Sequence, residues 1–400
     1  MCPVAAQATA AVAAIRLTLA AIVRAHGDAY RRTHRLATVQ VLALRAIAAC
    51  RTALLGGRRE TCDHCGATRL TFHSCRNRHC PTCQAQASAR WIEARRAELL
   101  PIPYFHVVFT LPHALNALAQ GNPRVIYTLL FRAAADTLLT FGRDPRHLGG
   151  TVGITAILHT WSQTLTDHVH VHCLVTGGAL SRDRTRWIHG RAAFLFPVKA
   201  LSVVFRAKYL TGLQRAYTDG TLTFTAGTAP LADAGRFAAL VTQLWATPWV
   251  VYAKRPFGGP AQVLQYLGRY THRIAISNAR LVSLVDGVVQ FRWKDYADRG
   301  HTKIMALGVD EFLRRFLLHV LPRGFVRIRH FGLLANRQRR PLIARAQDLL
   351  AAPTPATAPA DARAADIDPT RCPFCHQGHW QVEILSPLAR LPVPVGPDTS

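Results

Sequence analysis

Apolar and polar positions divide this 400-residue chain into a helical start, a middle that mixes strands with helices, and a polar, proline-rich end. Residues 8–57 read as helical throughout, with Arg31, Arg32, Arg35 and Arg45 set among alanine and leucine. A second helix, rich in arginine and alanine, is expected over 84–99. Residues 104–110 are β-branched and aromatic and follow Pro101 and Pro103, so they predict a strand. Asn122-Pro123 opens a helix to about residue 141, with asparagine as the N-cap and proline at the first helical position.

Two strands follow at 153–159 and 168–176, joined by a loop (160–167) short enough for an antiparallel pair. A strand is expected at 249–253, and Gly258-Gly259-Pro260 punctuates the start of a further helix. Residues 280–285 and 288–293 flank Asp286-Gly287, a strong hairpin signal. A helix over 310–320 and a strand over 325–329 close the folded part. Residues 351–370 are low in complexity and have little to bury, which marks a linker ahead of a short tail. The class predicted is α+β: an antiparallel sheet with flanking helices, preceded by a helical segment (1–57) and a small metal module (58–100). The main domain would run from 101 to 345, followed by linker 346–370 and tail 371–400.

Charge narrows the partners. Forty-nine Lys and Arg face 22 Asp and Glu, a formal net charge of +27, and only five of the cations are lysine. Arginine's planar fork binds phosphate bidentately, so the excess points to nucleic acid. A GC-rich genome would explain arginine in place of lysine but not the surplus of positive charge. Residues 5–23 are apolar, yet Arg16 interrupts them and no basic segment precedes them, so neither an export signal nor a membrane span is expected. The chain is expected in the cytoplasm, associated with the nucleoid.

Ten cysteines without an export signal suggest metal ligation rather than disulfides. Cys62-x2-Cys65 and Cys80-x2-Cys83, with fourteen residues between them, have the spacing of a tetrahedral zinc site. Cys75, His73 and His79 lie in the intervening loop and could replace a member of either pair. Arg69, Arg76 and Arg78 line the same segment and would suit a DNA-gripping knuckle. Cys372 and Cys375 offer two more thiolates, which would need ligands from elsewhere to hold an ion.

The run His168-Val169-His170-Val171-His172 places three imidazoles on one face of a strand, because alternate side chains share a face. His170 and His172 are the metal-ligand candidates, with Mg²⁺ or Mn²⁺ at their site and Zn²⁺ as an alternative. His168, Gln163 and His159 are candidates for a third ligand. Farther on, Tyr266 and Tyr270 sit four residues apart, on one face of a helix. Such a pair is ordinarily core packing, but Arg269, His272 and Arg273 make this a poor composition for a dry core. They suit holding phosphates.

The histidine run, continued by Cys173-Leu174-Val175, resembles the histidine–hydrophobic–histidine motif of the HUH endonuclease superfamily. Tyr266-Leu267-Gly268-Arg269-Tyr270-Thr271-His272-Arg273 resembles the two-tyrosine motif of its rolling-circle insertion-sequence transposases (insertion-sequence family ninety-one). Cys75-Arg76-Asn77-Arg78-His79-Cys80-Pro81-Thr82-Cys83, Leu158-His159-Thr160-Trp161, Phe291-Arg292-Trp293-Lys294-Asp295-Tyr296 and the segment 329–336 resemble that family too, in the same order. The similarity spans about 25–345 and includes an N-terminal zinc-binding domain. One departure is Asp167-His168-Val169, where a His-Pro-His pattern is expected.

The resemblance implies an HUH-type sheet with the tyrosine helix beside it, and a metal at His170 and His172 polarising a phosphate that a tyrosine attacks. The products would be a 5′-phosphotyrosine and a free 3′-hydroxyl. That exchange needs no nucleotide cofactor, and the chain has no P-loop sequence. The partners implied are single-stranded DNA at element ends and target DNA, with Trp293 and Lys294 as further contacts to the strand and the order of the two tyrosines left open. A rolling-circle replication initiator or relaxase-like nickase shares this chemistry but would not explain the zinc module. A zinc-dependent DNA binder would leave the histidines and tyrosines idle. An amidohydrolase would need a βα repeat that the chain lacks, and a carboxylate-triad transposase would need acidic residues gathered near the histidine strand.

Overall fold

Five antiparallel strands form the sheet that positions the candidate site, in the order β13-β5-β6-β3-β9. They are β3 (Tyr104–Thr110), β5 (Gly153–Trp161), β6 (Asp167–Thr176), β9 (Val251–Lys254) and β13 (Ile328–Gly332). The computed structural model describes residues 16–96, 98–191, 193–254, 262–263, 268, 274–350, 368 and 370–388. The α+β class is as the sequence predicts.

Alternation decides which face of the sheet does what. Phe105, Val107 and Phe109 of β3 point the same way as Val169, Val171, Cys173 and Val175 of β6. They pack on α5 (Pro123–Arg143) and α6 (Val198–Thr218) through Leu130, Phe131, Leu138, Phe205 and Tyr209. Burying a side chain of this size is worth roughly 1.5–3 kcal/mol, so this face anchors the sheet. α5 is long and apolar enough to cross a membrane, but it is mostly buried in this core. The opposite face carries the histidines. It is covered in part by Trp91 of α3 (Pro81–Arg96), by Leu342, Ile343 and Ala346 of a C-terminal helix (Arg339–Leu350), and by Val263.

A second core joins segments far apart in sequence. α1 (Leu19–Thr33) buries Leu19, Ile22, Val23 and Tyr30 at helical spacing, and the Thr18 hydroxyl caps its first turn by accepting from the Ala21 N–H. With α2 (Thr38–Ala49), this face packs on the sheet β10 (Leu281–Val285), β11 (Val288–Asp295) and β12 (His301–Gly308), and on the helix Val309–Leu318. Asp286 and Gly287 both take positive φ, 48° and 72°, as the twist-matched two-residue hairpin turn requires.

Other elements depart from the sequence reading. The expected helix over 8–57 is two helices and a short turn among the described residues, and β1 (Gly57–Cys62) begins where the helical segment was to end. β1 pairs with β2 (Thr68–Phe72), and also with β14 (Trp380–Leu385) from the C-terminal tail. The last strand of the central sheet begins at Ile328 rather than 325, because Phe325 is spent on the α5 core. Pro123 does stand at the first helical position of α5, but Asn122 makes no capping bond. Its buried amide instead holds both the N–H and the carbonyl of Thr223, at 2.6 and 2.8 Å. Of the linker expected at 346–370, residues 346–350 instead complete the helix Arg339–Leu350, which buries Ala346 against the histidine face, and the rest lies almost wholly outside the described residues.

Candidate functional site

Register brings the imidazoles together. His170 of β6 lies opposite His159 of β5, and His172 lies opposite Ile157, so all three histidines share the face away from the α5–α6 core. His170 Nε2 and His172 Nε2 are 3.0 Å apart, and ligand atoms of His159, His170 and His172 lie within 4.8 Å of one another. His170 donates through Nδ1–H to the His168 carbonyl at 2.7 Å, which leaves Nε2 with its lone pair. Two nitrogens bound at about 2.1 Å and at right angles to one cation stand about 3 Å apart, so the donor set fits a divalent ion.

The third imidazole is His159, one of the three candidates the sequence offers. His168 lies beyond the cluster, its ring 4.8 Å from that of His170 and 5.8 Å from that of His113. Gln163 sits in the β5–β6 turn, where its carbonyl accepts from Arg280. That turn is held from outside: Arg315 donates to the Thr164 carbonyl at 3.0 Å, His319 bonds the Leu165 carbonyl at 3.0 Å, and Leu165 is buried in the second core. The end of the histidine strands is thereby tied to the turn Asn278–Arg280 that leads into β10 and to the helix Val309–Leu318 with its C-cap His319.

His106 was not foreseen. It lies on β3 opposite Leu174, and its Nε2 is 2.8 Å from His172 Nδ1. Burial, with the charge of Lys254 nearby, pushes its pKa down to about 3, so it is neutral at pH 7. A neutral imidazole there can accept from His172 Nδ1–H, which puts the ring's lone pair on His172 Nε2, the atom turned toward His170. The only sequence signal is a single histidine inside an otherwise apolar strand.

Tyr266 and Tyr270, with Arg269, His272 and Arg273, lie outside the described residues. Two described residues bracket Tyr266. Val263 is fully buried in the cluster that holds Ile157 and Leu174 of the histidine face, and the Gly268 carbonyl accepts from the Ser88 hydroxyl at 2.8 Å. A Cβ at Gly268 would run into the Ile92 side chain of α3, so this glycine permits a close approach.

The cysteines group differently from the single four-thiolate site expected at Cys62, Cys65, Cys80 and Cys83. Cys80 and Cys83 gather with Cys75 and Cys50, all four buried. Neighbouring sulfurs are 3.6–3.7 Å apart. Cys62 and Cys65 gather with Cys372 and Cys375. The cause is the β1–β2 hairpin, which carries Cys62 and Cys65 at its tip while Cys50 and Cys75 sit by its base. Five residues of strand span roughly 17 Å, too far for one ion to bridge. A tetrahedral zinc with bonds of about 2.3 Å separates its sulfurs by about 3.8 Å, so the thiols fit that metal. Cys50 ends α2, and nothing in its own neighbourhood in the sequence marks it. His73 is exposed, and His79 accepts from the Leu321 N–H at 3.1 Å, so neither belongs to a cluster.

The other DNA-contact candidates are scattered. Arg76 and Lys294 are exposed. Arg78 donates to the Phe325 carbonyl at 2.6 Å, Arg69 pairs with Glu60 beneath Trp380, and Trp293 is partly buried against the second core.

Comparison with known proteins places the chain. The family described as "Putative transposase" matches residues 153–341, and the family described as "Transposase zinc-binding domain" matches residues 22–111. "Putative transposase y4qJ" of Sinorhizobium fredii is 50% identical over 370 residues, 90% of this chain and 93% of its own length. "Transposase for insertion sequence element IS801" of Pseudomonas savastanoi pv. phaseolicola is 29% identical over 353 residues, 85% of this chain and 82% of its own. No solved structure matches. With half of 370 aligned residues identical to a relative named as a putative transposase, along nearly the full length of both, the chain belongs to the IS91 family of insertion-sequence transposases, whose zinc-binding domain forms its N-terminal part.

Proposed function

We propose that this transposase cuts and rejoins single-stranded DNA at the ends of its element, through a 5′-phosphotyrosine formed on Tyr266 or Tyr270, in rolling-circle-type transposition. The reading rests on one observation above all: the Nε2 atoms of His170 and His172 converge at 3.0 Å, with His159 completing the set. The burial of Val263 against the same face supports it, since that residue lies three positions before Tyr266.

His159, His170 and His172 would hold Mg²⁺ or Mn²⁺, which supplies positive charge to a non-bridging phosphate oxygen. A tyrosine oxygen attacks the phosphorus as its phenolic proton is lost, the bond to the 3′-oxygen breaks, and that oxygen takes up one proton and leaves as a hydroxyl. One phosphodiester is exchanged for another, so the bond energy is kept for rejoining. A tyrosine's ordinary pKa is about 10, and Arg269, His272 and Arg273 are the groups we assign to hold phosphate and favour the phenolate. Two tyrosines allow one strand end to be held while a second cleavage proceeds. The net charge of +27 suits a polyanion, with Arg76, Trp293 and Lys294 as contacts to the strand and target DNA as the second partner. Acting on the element's DNA, the protein works in the cytoplasm at the nucleoid.

The test is incubation of purified protein with labelled single-stranded element ends and Mg²⁺ or Mn²⁺. An SDS-resistant protein–DNA adduct is expected. It should be lost in the His170→Ala/His172→Ala variant and in the Tyr266→Phe/Tyr270→Phe variant. A metallated wild-type protein that binds the same DNA without forming an adduct would leave the chain as a zinc-dependent DNA binder.

A further inference from the structure

Cys62 and Cys65 lie more than three hundred residues from Cys372 and Cys375, yet the four thiols meet at the tip of the β1–β2 hairpin. Cys62 Sγ is 3.7 Å from Cys375 Sγ, Cys65 Sγ is 3.8 Å from Cys372 Sγ, and all four lie within 4.8 Å of one another. A disulfide requires about 2.05 Å between sulfurs, whereas thiolates around a tetrahedral zinc stand about 3.8 Å apart. The spacing therefore fits an ion and not a covalent bridge.

Both turns are shaped as ligand loops. The Cys65 N–H points to Cys62 Sγ at 3.5 Å, and the Gly378 N–H points to Cys375 Sγ at 3.4 Å, so backbone donors favour the thiolates. The loops also interlock. The His379 N–H donates to the Asp63 carboxylate at 2.8 Å, and the Asp63 N–H donates to the His379 carbonyl at 3.1 Å. A Cβ at Gly378 would stand 2.5 Å from Cys62 Sγ and 2.6 Å from His64 Cβ, so only glycine lets the tail cross the first turn.

Packing alone gives the tail little hold. Within β14, Val382 and Ile384 are 53% and 71% exposed, while Cys372 is fully buried. Among the described residues of the tail, the most deeply buried side chain is thus a thiol in a cluster of thiols. We propose that a zinc ion held by Cys62, Cys65, Cys372 and Cys375 fastens the C-terminal tail to the zinc-binding domain, giving the chain two four-thiolate sites and making β14 part of that domain. The inference does not depend on the strand-transfer chemistry.

Metal analysis of the full-length protein tests it. The expected content is two zinc ions per chain, falling to one in Cys372→Ser/Cys375→Ser, to one in Cys62→Ser/Cys65→Ser, and no further when all four are changed. A wild-type content that Cys372→Ser/Cys375→Ser leaves unchanged overturns the proposal, as does a tail disulfide in the intact mass under non-reducing conditions. Cys375→His, which keeps a ligand nitrogen, should retain the second ion, separating ligand loss from misfolding. Alkylation gives an independent readout. Cys62 and Cys65 should resist N-ethylmaleimide in the native protein and react in Cys372→Ser/Cys375→Ser, and equal reactivity in the two proteins overturns the proposal.

Discussion

His172 Nδ1 lies 2.8 Å from His106 Nε2 on the neighbouring strand, so the imidazole aimed at the candidate cation is oriented by another imidazole. Such partners typically change metal affinity 10–100-fold when removed. His106→Ala should weaken Mn²⁺ binding, read by titration calorimetry, by about that factor. His106→Gln, which keeps an acceptor, should recover most of the loss. Unchanged affinity in His106→Ala would show that His172 needs no such support.

The cluster contains His159 but not His168, although His168 belongs to the histidine run. His159→Ala should therefore lower Mn²⁺ affinity and adduct formation about as much as His170→Ala does. His168→Ala should leave both within a few-fold of wild type. Its backbone carbonyl, which holds His170, survives the change. Reversed behaviour of the two variants would give the third position to His168.

Cys50 links the end of α2 to Cys75, Cys80 and Cys83, and this cluster sits inside the core shared by α1, α2 and β10–β12. Structural zinc contributes folding energy directly. Cys50→Ser should lose one zinc ion and lower the thermal transition, whereas Cys173→Ser, at a cysteine outside both clusters, should keep the full zinc content. Chelation with EDTA at neutral pH should mimic Cys50→Ser in the unfolding trace. A Cys50→Ser protein with full zinc content would remove this residue from the ligand set.

His319 is buried between the Thr160 hydroxyl, 3.1 Å from Nδ1, and the Leu165 carbonyl, 3.0 Å from Nε2. Burial outweighs the carbonyl bond and pushes its pKa down to about 4. An unfolded histidine titrates near 6.5, so the unfolded state takes up the proton first as the pH falls. The stability due to neutral His319 is therefore complete above about pH 6.5 and is lost between there and pH 4, by roughly 3 kcal/mol. The thermal transition should fall over that window, and His319→Gln should fall less steeply than wild type. Parallel slopes in the two proteins would mean that the acid sensitivity lies elsewhere.

The sequence alone determined what depends on neighbours along the chain. Period-two alternation put His170 and His172 on one face, and the apolar residues between them put the other face in the core. Asp286-Gly287 fixed a hairpin because few residues accept positive φ twice in succession. The spacing of the CxxC pairs announced metal ligation for the same local reason. Tertiary structure decided which of those local pieces meet. Cys50 joins Cys75, Cys80 and Cys83, Cys62 and Cys65 take their partners from the tail, and His106 and His159 enter the site only through strand register. The physical reason is range: periodicity and turn chemistry act over a few residues, whereas ligands and cross-strand partners are chosen by hydrogen-bond register and packing between segments that can lie hundreds of residues apart.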